Sequence, residues 1–311
     1  MESGSRGRNR HRGRPILVTG VPRSGTTWLA RLLAGSPGTA LAGREPMNPR
    51  GRQYALGGTL TGWARLTDLT ARQRRLLRLA YRGWNPWVYS RFGTRQWAGP
   101  LPHTNLIVKD PFAMLSLPAV VRATDALPVL VFRHPGAVLA SYRRMGWTPD
   151  LEELAVIVAD VESRGTGPWL PSLPGPGEAS PAEEMGLFWS VLHDLALADA
   201  AESGLVVVSH SELATGGVAA GTALAERLGL RWSTTMAAEL ANEASSAPVR
   251  AEQLHNFDRP PAAVAEEWRS KLSAVETQSI ENVTQQTRER LESARVRLSP
   301  PDARGSVNEP E

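Results

Sequence analysis

The stretch Gly20-Val-Pro-Arg-Ser-Gly-Thr-Thr-Trp28 decides the fold. A short apolar segment, Ile16 to Thr19, runs ahead of it. A helical pattern follows over Thr27 to Ala34 and stops near Gly35 and Pro37. Strand, glycine turn and helix in that order open a nucleotide-binding α/β fold. Gly20 and Gly25 keep the spacing of the phosphate loop G-x-x-x-x-G-K-[ST], and Thr27 takes the Ser/Thr place. The lysine place holds Thr26 instead, and a basic residue stands three positions earlier, as Arg23. Backbone amides at the helix start still cradle an anion. The lysine that reaches the outer phosphates of a nucleoside triphosphate is missing. The turn is therefore a phosphate loop adapted to a smaller terminal group.

Working outward, three more apolar runs predict buried parallel strands: Leu106 to Lys109, Val129 to Phe132 and Leu205 to Val208. Helical stretches fall between them, near residues 114–123, 136–144, 183–202 and 218–228. The alternation predicts a doubly wound parallel sheet flanked by helices, in one domain over residues 15–298. Residues 50–100 differ: they are rich in Arg and Trp, carry a helical segment around Leu66 to Tyr81 and hold Trp63, Trp84, Trp87 and Trp97. They form an insertion on the core, and the tryptophans serve either its own packing or an acceptor. Residues 164–182, rich in Pro and Gly, predict a long loop of the kind that is functional or disordered. Residues 299–311 predict a frayed tail.

Composition narrows the chemistry. The 311 residues are 41% hydrophobic, ordinary for a soluble globular protein, and contain no cysteine. Disulfides, thiolate nucleophiles and cysteine-ligated metals are excluded. No apolar run approaches the ~20 residues of a membrane helix, and a cytoplasmic location is expected. Arg6, Arg8, Arg10, Arg12 and Arg14 against Glu2 give residues 1–14 a charge of +4, equal to that of the whole chain. This Gly/Arg/Ser-rich tail predicts disorder. Nucleic acid is not an expected partner of the neutral remainder.

The segment PRSGTTW, Pro22 to Trp28, resembles the 5′-phosphosulfate loop of PAPS-dependent sulfotransferases, whose co-substrate is 3′-phosphoadenosine 5′-phosphosulfate. The resemblance implies that Arg23, Ser24, Gly25, Thr26 and Thr27 hold the phosphosulfate and that Trp28 lies against the adenine. Base–aromatic stacking is worth roughly 1–3 kcal/mol. The family also follows a central strand with an Arg and, eight residues later, a Ser, and both bind the 3′-phosphate. Here Arg133 ends the predicted strand and Ser141 follows eight residues later, in FRHPGAVLASYRR. Arg133 thus sits at the carboxyl end of a strand, where open α/β sheets bind ligands, and a guanidinium grips phosphate in a bidentate way. His134 stands where the family often has Asp.

Two fainter likenesses extend the comparison to about residues 15–290. VVVSHSEL, Val206 to Leu213, resembles a strand whose following aromatic contacts adenine, with His210 in that place. EEWRSKL, Glu266 to Leu272, resembles a late Trp-Arg-x-x-Leu helix of bacterial members. The likeness is to the bacterial and carbohydrate-type branch rather than the cytosolic animal one.

Sulfuryl transfer, like phosphoryl transfer, asks the protein for position and charge stabilisation. The resemblance casts Arg23 on the leaving phosphate and Lys109, ending LIVK, on the sulfuryl oxygens. An Arg does not readily donate its proton, so its expected role is electrostatic. The base is expected to be Glu45, followed by Pro46 in GREPMNP, with Asp110 and His103 as reserves. No metal motif stands out, and the acceptor site is expected between the core and the 50–100 insertion. A phosphate-loop ATP kinase is the rival reading, but it lacks a Lys at position 26 and an evident Mg²⁺ ligand. An inactive nucleotide-binding relative is a second.

Overall fold

The computed structural model describes residues 13–50, 55–82, 104–165, 167–168, 170–175, 177–241 and 267–298. Residues 1–12 of the basic tail, residues 299–311, Trp84, Trp87, Trp97, His103 and Glu266 lie outside the described residues.

Five strands form one sheet: β1 (Ile16–Thr19), β2 (Thr39–Leu41), β3 (Asn105–Lys109), β4 (Leu127–Phe132) and β5 (Val206–Ser209). Their order is β2-β3-β1-β4-β5, and every pairing is parallel. The register runs through Ile16↔Ile107, Val18↔Val129 and Phe132↔Ser209. Continuous apolar runs suit this arrangement because both faces of the sheet are covered.

Side chains alternate between two cores, as the strand period of two requires. Leu17, Val108, Leu130 and Val207 point to one face. It is covered by α2 (Ala71–Tyr81), α3 (Leu117–Thr124), α4 (Pro135–Met145), α5 (Leu151–Arg164), α6 (Pro181–Ala198) and α10 (Ala274–Ala294). Val18, Ile107, Val129 and Val208 point to the other face. There they meet α1 (Thr26–Ala34), α8 (Gly217–Arg227) and α9 (Thr234–Ala241), while α7 (His210–Thr215) follows β5 directly.

Several elements differ from their sequence-based expectations. Strand β2 was not expected; three residues are too few for a readable period. Strand β4 begins two residues before Val129 and takes in Pro128. The helix expected over 66–81 begins at Ala71, where Thr70 and Gln73 form a reciprocal cap. The one expected over 114–123 is a 3-10 turn, Pro111–Leu115, followed by α3. The one expected over 183–202 splits at Asp199 into α6 and the turn Ala200–Ser203.

Within the insertion, Trp63 is buried, stacked on Phe112 at 4.2 Å and edge-on to Phe188. This tryptophan belongs to the core. The expected late helix around Trp268 is a 3-10 turn, Glu267–Ser270. Trp268 is buried and stacks on His134 at 4.1 Å. No helix among the described residues is long and apolar enough to cross a membrane.

Candidate active site at the carboxyl ends of the strands

The central strand β1 is flanked by β3 and β4, so the turn after it lies between the ends of both. Gly20 leaves β1 at φ +146°, and a Cβ there would stand 2.3 Å from the Val131 carbonyl oxygen. Gly25 caps α1 at φ +94°, and a Cβ there would lie 2.4 Å from His210 Cδ2. Only glycine fits either place: the backbone needs the left-handed region, and the neighbouring strand and ring leave no room. Between them Arg23 also adopts positive φ, at +76°, which costs a non-glycine residue roughly 1–2 kcal/mol. The Ser24 amide donates to the Val21 carbonyl at 3.0 Å and closes the turn.

Loop and second motif meet here. Arg23 Nε donates to Ser141 Oγ at 2.9 Å, although 118 residues separate them. Ser141 lies on α4, which Pro135 begins and His134 caps, its Nδ1 accepting from the Gly136 amide at 3.2 Å. His134 therefore does the capping work expected of an Asp at this position. Arg23 also lies over the Trp147 ring at 5.8 Å. Burial, and then the charge of nearby Arg144, hold its pKa below the ordinary value, yet a guanidinium stays charged.

On the β4–β5 side, Arg133 follows β4, and its carbonyl accepts from Trp189 Nε1 at 3.1 Å. His210 follows β5 and lies 5.1 Å from the Trp28 ring, tilted by 57°. It is buried, and its pKa falls to about 3, first through burial and then through the charge of Arg133. His210 is therefore neutral. Trp28, Gly25, His210 and Arg133 form one contiguous wall. Ser24 Oγ, Trp28 Nε1 and His210 Nδ1 are buried and find no hydrogen-bond partner among the described residues. Unmatched polar atoms around an anion loop are what a site for a polar ligand requires.

On the β2–β3 side, Glu45 is 5% exposed. One carboxylate oxygen is ion-paired with Lys109 Nζ, and the other accepts from Asn48 Nδ2. Thr27, Arg44, Glu45 and Lys109 line a cavity of about 10 Å³, room for about one water. The larger cavity, about 310 Å³, opens between α6 and α10 and includes no residue of the loop.

Asp110 is fully buried, with Oδ2 accepting from the Met47 amide at 2.6 Å and Oδ1 from the Phe112 amide at 3.1 Å. Burial, and then the charge of Glu45, push its pKa up to about 8, against those two amides and Lys109. Among the described residues, no His, Asp and Glu gather in threes as a metal centre would need.

Arg23 and Ser141 thus come together, as do Glu45 and Lys109, and Trp28, His210 and Arg133. Sequence reasoning missed Asn48, Arg144 and Trp147. Asn48 was the most accessible of these, being a polar residue three positions after Glu45 across the turn that the Asn48 amide closes onto the Glu45 carbonyl.

No curated protein sequence matches the chain. The solved structure of a mouse sulfotransferase, SULT7A1, complexed with PAP matches with a TM-score of 0.47 and 14% identity, over 91% of this chain and 89% of that one. At that distance no residue role passes between the two. The model of the sulfotransferase family matches residues 15–162. The loop, Glu45, Lys109, Arg133 and Ser141 all lie within this matched segment.

Proposed function

We propose that this chain transfers a sulfuryl group from PAPS to a hydroxyl of a glycan, lipid or small molecule by in-line displacement. The observation that carries the reading is the Arg23–Ser141 contact, which brings the loop and the second motif to one place, inside the segment that matches the family.

Arg23, Ser24, Gly25, Thr26 and Thr27 hold the 5′-phosphosulfate, through the amides at the start of α1 and the Arg23 charge. Arg133 and Ser141 take the 3′-phosphate. Trp28 and neutral His210 face the adenine. The acceptor oxygen attacks sulfur, and the bond from sulfur to the 5′-phosphate oxygen breaks. PAP leaves with that electron pair, and the hydroxyl proton passes to Glu45.

Each oxygen of Glu45 spends one lone pair, on Lys109 or on Asn48, and keeps another for the proton. Lys109 has three donors and can serve Glu45 and a sulfuryl oxygen together. Asp110 is the poorer base because it is fully buried and presents no surface for an acceptor hydroxyl to reach.

Calorimetric titration with PAP, with ATP and Mg²⁺ in parallel, tests the nucleotide assignment. Micromolar PAP binding, lost about 100-fold or more in Arg133→Ala, is expected from removing a charged phosphate donor. ATP binding without PAP binding returns the chain to the kinases.

A further inference from the structure

Asp110 has a place in the site that its role as a reserve base does not explain. It is fully buried and bonded on every side. Its amide donates to the Val18 carbonyl at 3.0 Å, and its carbonyl accepts from Thr19 Oγ1 at 2.9 Å, so its backbone is locked to β1. Its side chain reaches the Met47 amide, 63 residues away in sequence. Met47 lies two residues beyond Glu45, in the segment that leaves β2. That segment is tied to β3 at its start, where the Ala42 amide donates to the Ile107 carbonyl at 2.8 Å. Asp110 ties it again beyond Glu45. Glu45 is therefore suspended between two anchors, with its carboxylate brought onto Lys109, the neighbour of Asp110.

We infer that Asp110 is the positioning residue for Glu45: a clamp that fixes the Glu45 segment to the end of β3 through its two accepted amides and takes no proton from the acceptor. A carboxyl group suits the task because each of its two oxygens can accept an amide. An amide side chain of the same shape offers one acceptor and turns donors toward the other N–H. The inference rests on the reading of Glu45 as the base. It adds the group that holds the base in place, and a misplacement of about 1 Å at a reacting group is enough to cost about 100-fold in rate.

The test compares Asp110→Asn, Glu45→Gln and the double variant in the full chain. Turnover is followed as release of inorganic sulfate from PAPS, with water as the acceptor. Asp110→Asn is expected to lower kcat about 100-fold with PAP affinity unchanged, and the double variant to be no slower than Glu45→Gln alone. Amide hydrogen exchange supplies a readout that needs no turnover: peptides covering residues 43–50 lose protection in Asp110→Asn, while those of β1 and β4 keep theirs.

Unchanged protection over 43–50 overturns the clamp. So do losses that multiply in the double variant, which would give Asp110 a chemical role of its own. Glu45→Gln at full turnover sinks the base assignment instead, and the exchange measurement still decides the clamp. Should Asp110→Asn fail to fold, Asp110→Glu replaces it; a longer carboxylate keeps the charge and shifts the anchor.

Discussion

Arg23 Nε and Ser141 Oγ lie 2.9 Å apart, joining the phosphate loop to the second turn of α4. In the ligand-free chain Ser141 thus holds the guanidinium that is proposed to meet the leaving phosphate. Ser141→Ala removes this partner together with a donor to the 3′-phosphate. PAP binding is expected to weaken about 10-fold, in line with about 1.5 kcal/mol for a hydrogen bond to a charged group. Arg23→Ala is expected instead to lower turnover about 100- to 1,000-fold, as removal of an oxyanion-type donor does. Calorimetry on both variants, with sulfate release from PAPS, separates the two effects.

Arg23 sits at φ +76°, so its side chain is kept at a backbone cost. Arg23→Gly and Arg23→Ala lose the same contacts, but only glycine relieves the backbone. Thermal or denaturant unfolding should place the glycine variant about 1 kcal/mol above the alanine variant. Equal stabilities would mean that the left-handed turn carries no cost.

Gly25→Ala forces a Cβ to 2.4 Å from the His210 ring at a backbone φ of +94°. The ring is boxed in by Trp28 and cannot yield cheaply. A loss of about 1–3 kcal/mol in stability is expected from overpacking alone. Nucleotide binding should fall further than stability, because Gly25 and His210 both face the proposed adenine and phosphosulfate positions. A melt and a PAP titration of the one variant check both.

Two buried histidines set an acid limit. Burial lowers the pKa of His193 to about 4, opposed by the Trp189 carbonyl, and that of His210 to about 3, with Arg133 adding to the effect. Unfolded histidine titrates near 6.5, and each unit of difference is worth about 1.4 kcal/mol. Lowered folded values mean that the unfolded chain binds more protons, so stability rises with pH across this window. The contribution is complete above about pH 6.5 and is lost as pH falls toward the folded values. The histidines' share of the unfolding free energy should be flat above about pH 6.5 and fall below it, opposed by Asp110, whose pKa of about 8 favours folding as pH falls. His193→Gln, which keeps a donor for the Trp189 carbonyl, should flatten part of that fall.

What could be seen in the sequence was whatever local chemistry specifies. The loop was visible because glycines, the strand before it and the helix after it constrain one another within a dozen residues. Arg133 and Ser141 were visible through a fixed spacing. Contacts made across the sheet were not: nothing local says that Arg23 turns to Ser141, or that Asp110 reaches Met47. Strand β2 was too short to show a period. Helices α5 and α10 did carry a signal that went unread: Asp150 receives the Glu153 amide, and Ser273 and Glu276 form a reciprocal cap. Trp63 could not be assigned from composition, because a tryptophan that fills a core and one that faces a ligand look alike until packing separates them.

The most direct measurement is to incubate the purified chain with PAPS labelled in its sulfuryl group, without ATP, and follow label and nucleotide together. The account predicts PAP and labelled sulfate, or a labelled acceptor, appearing in equal amounts, with the rate about 100- to 1,000-fold lower in Arg23→Ala. PAPS left intact by the wild-type chain in the presence of hydroxyl acceptors, with ATP consumed when it and Mg²⁺ are supplied instead, would contradict it.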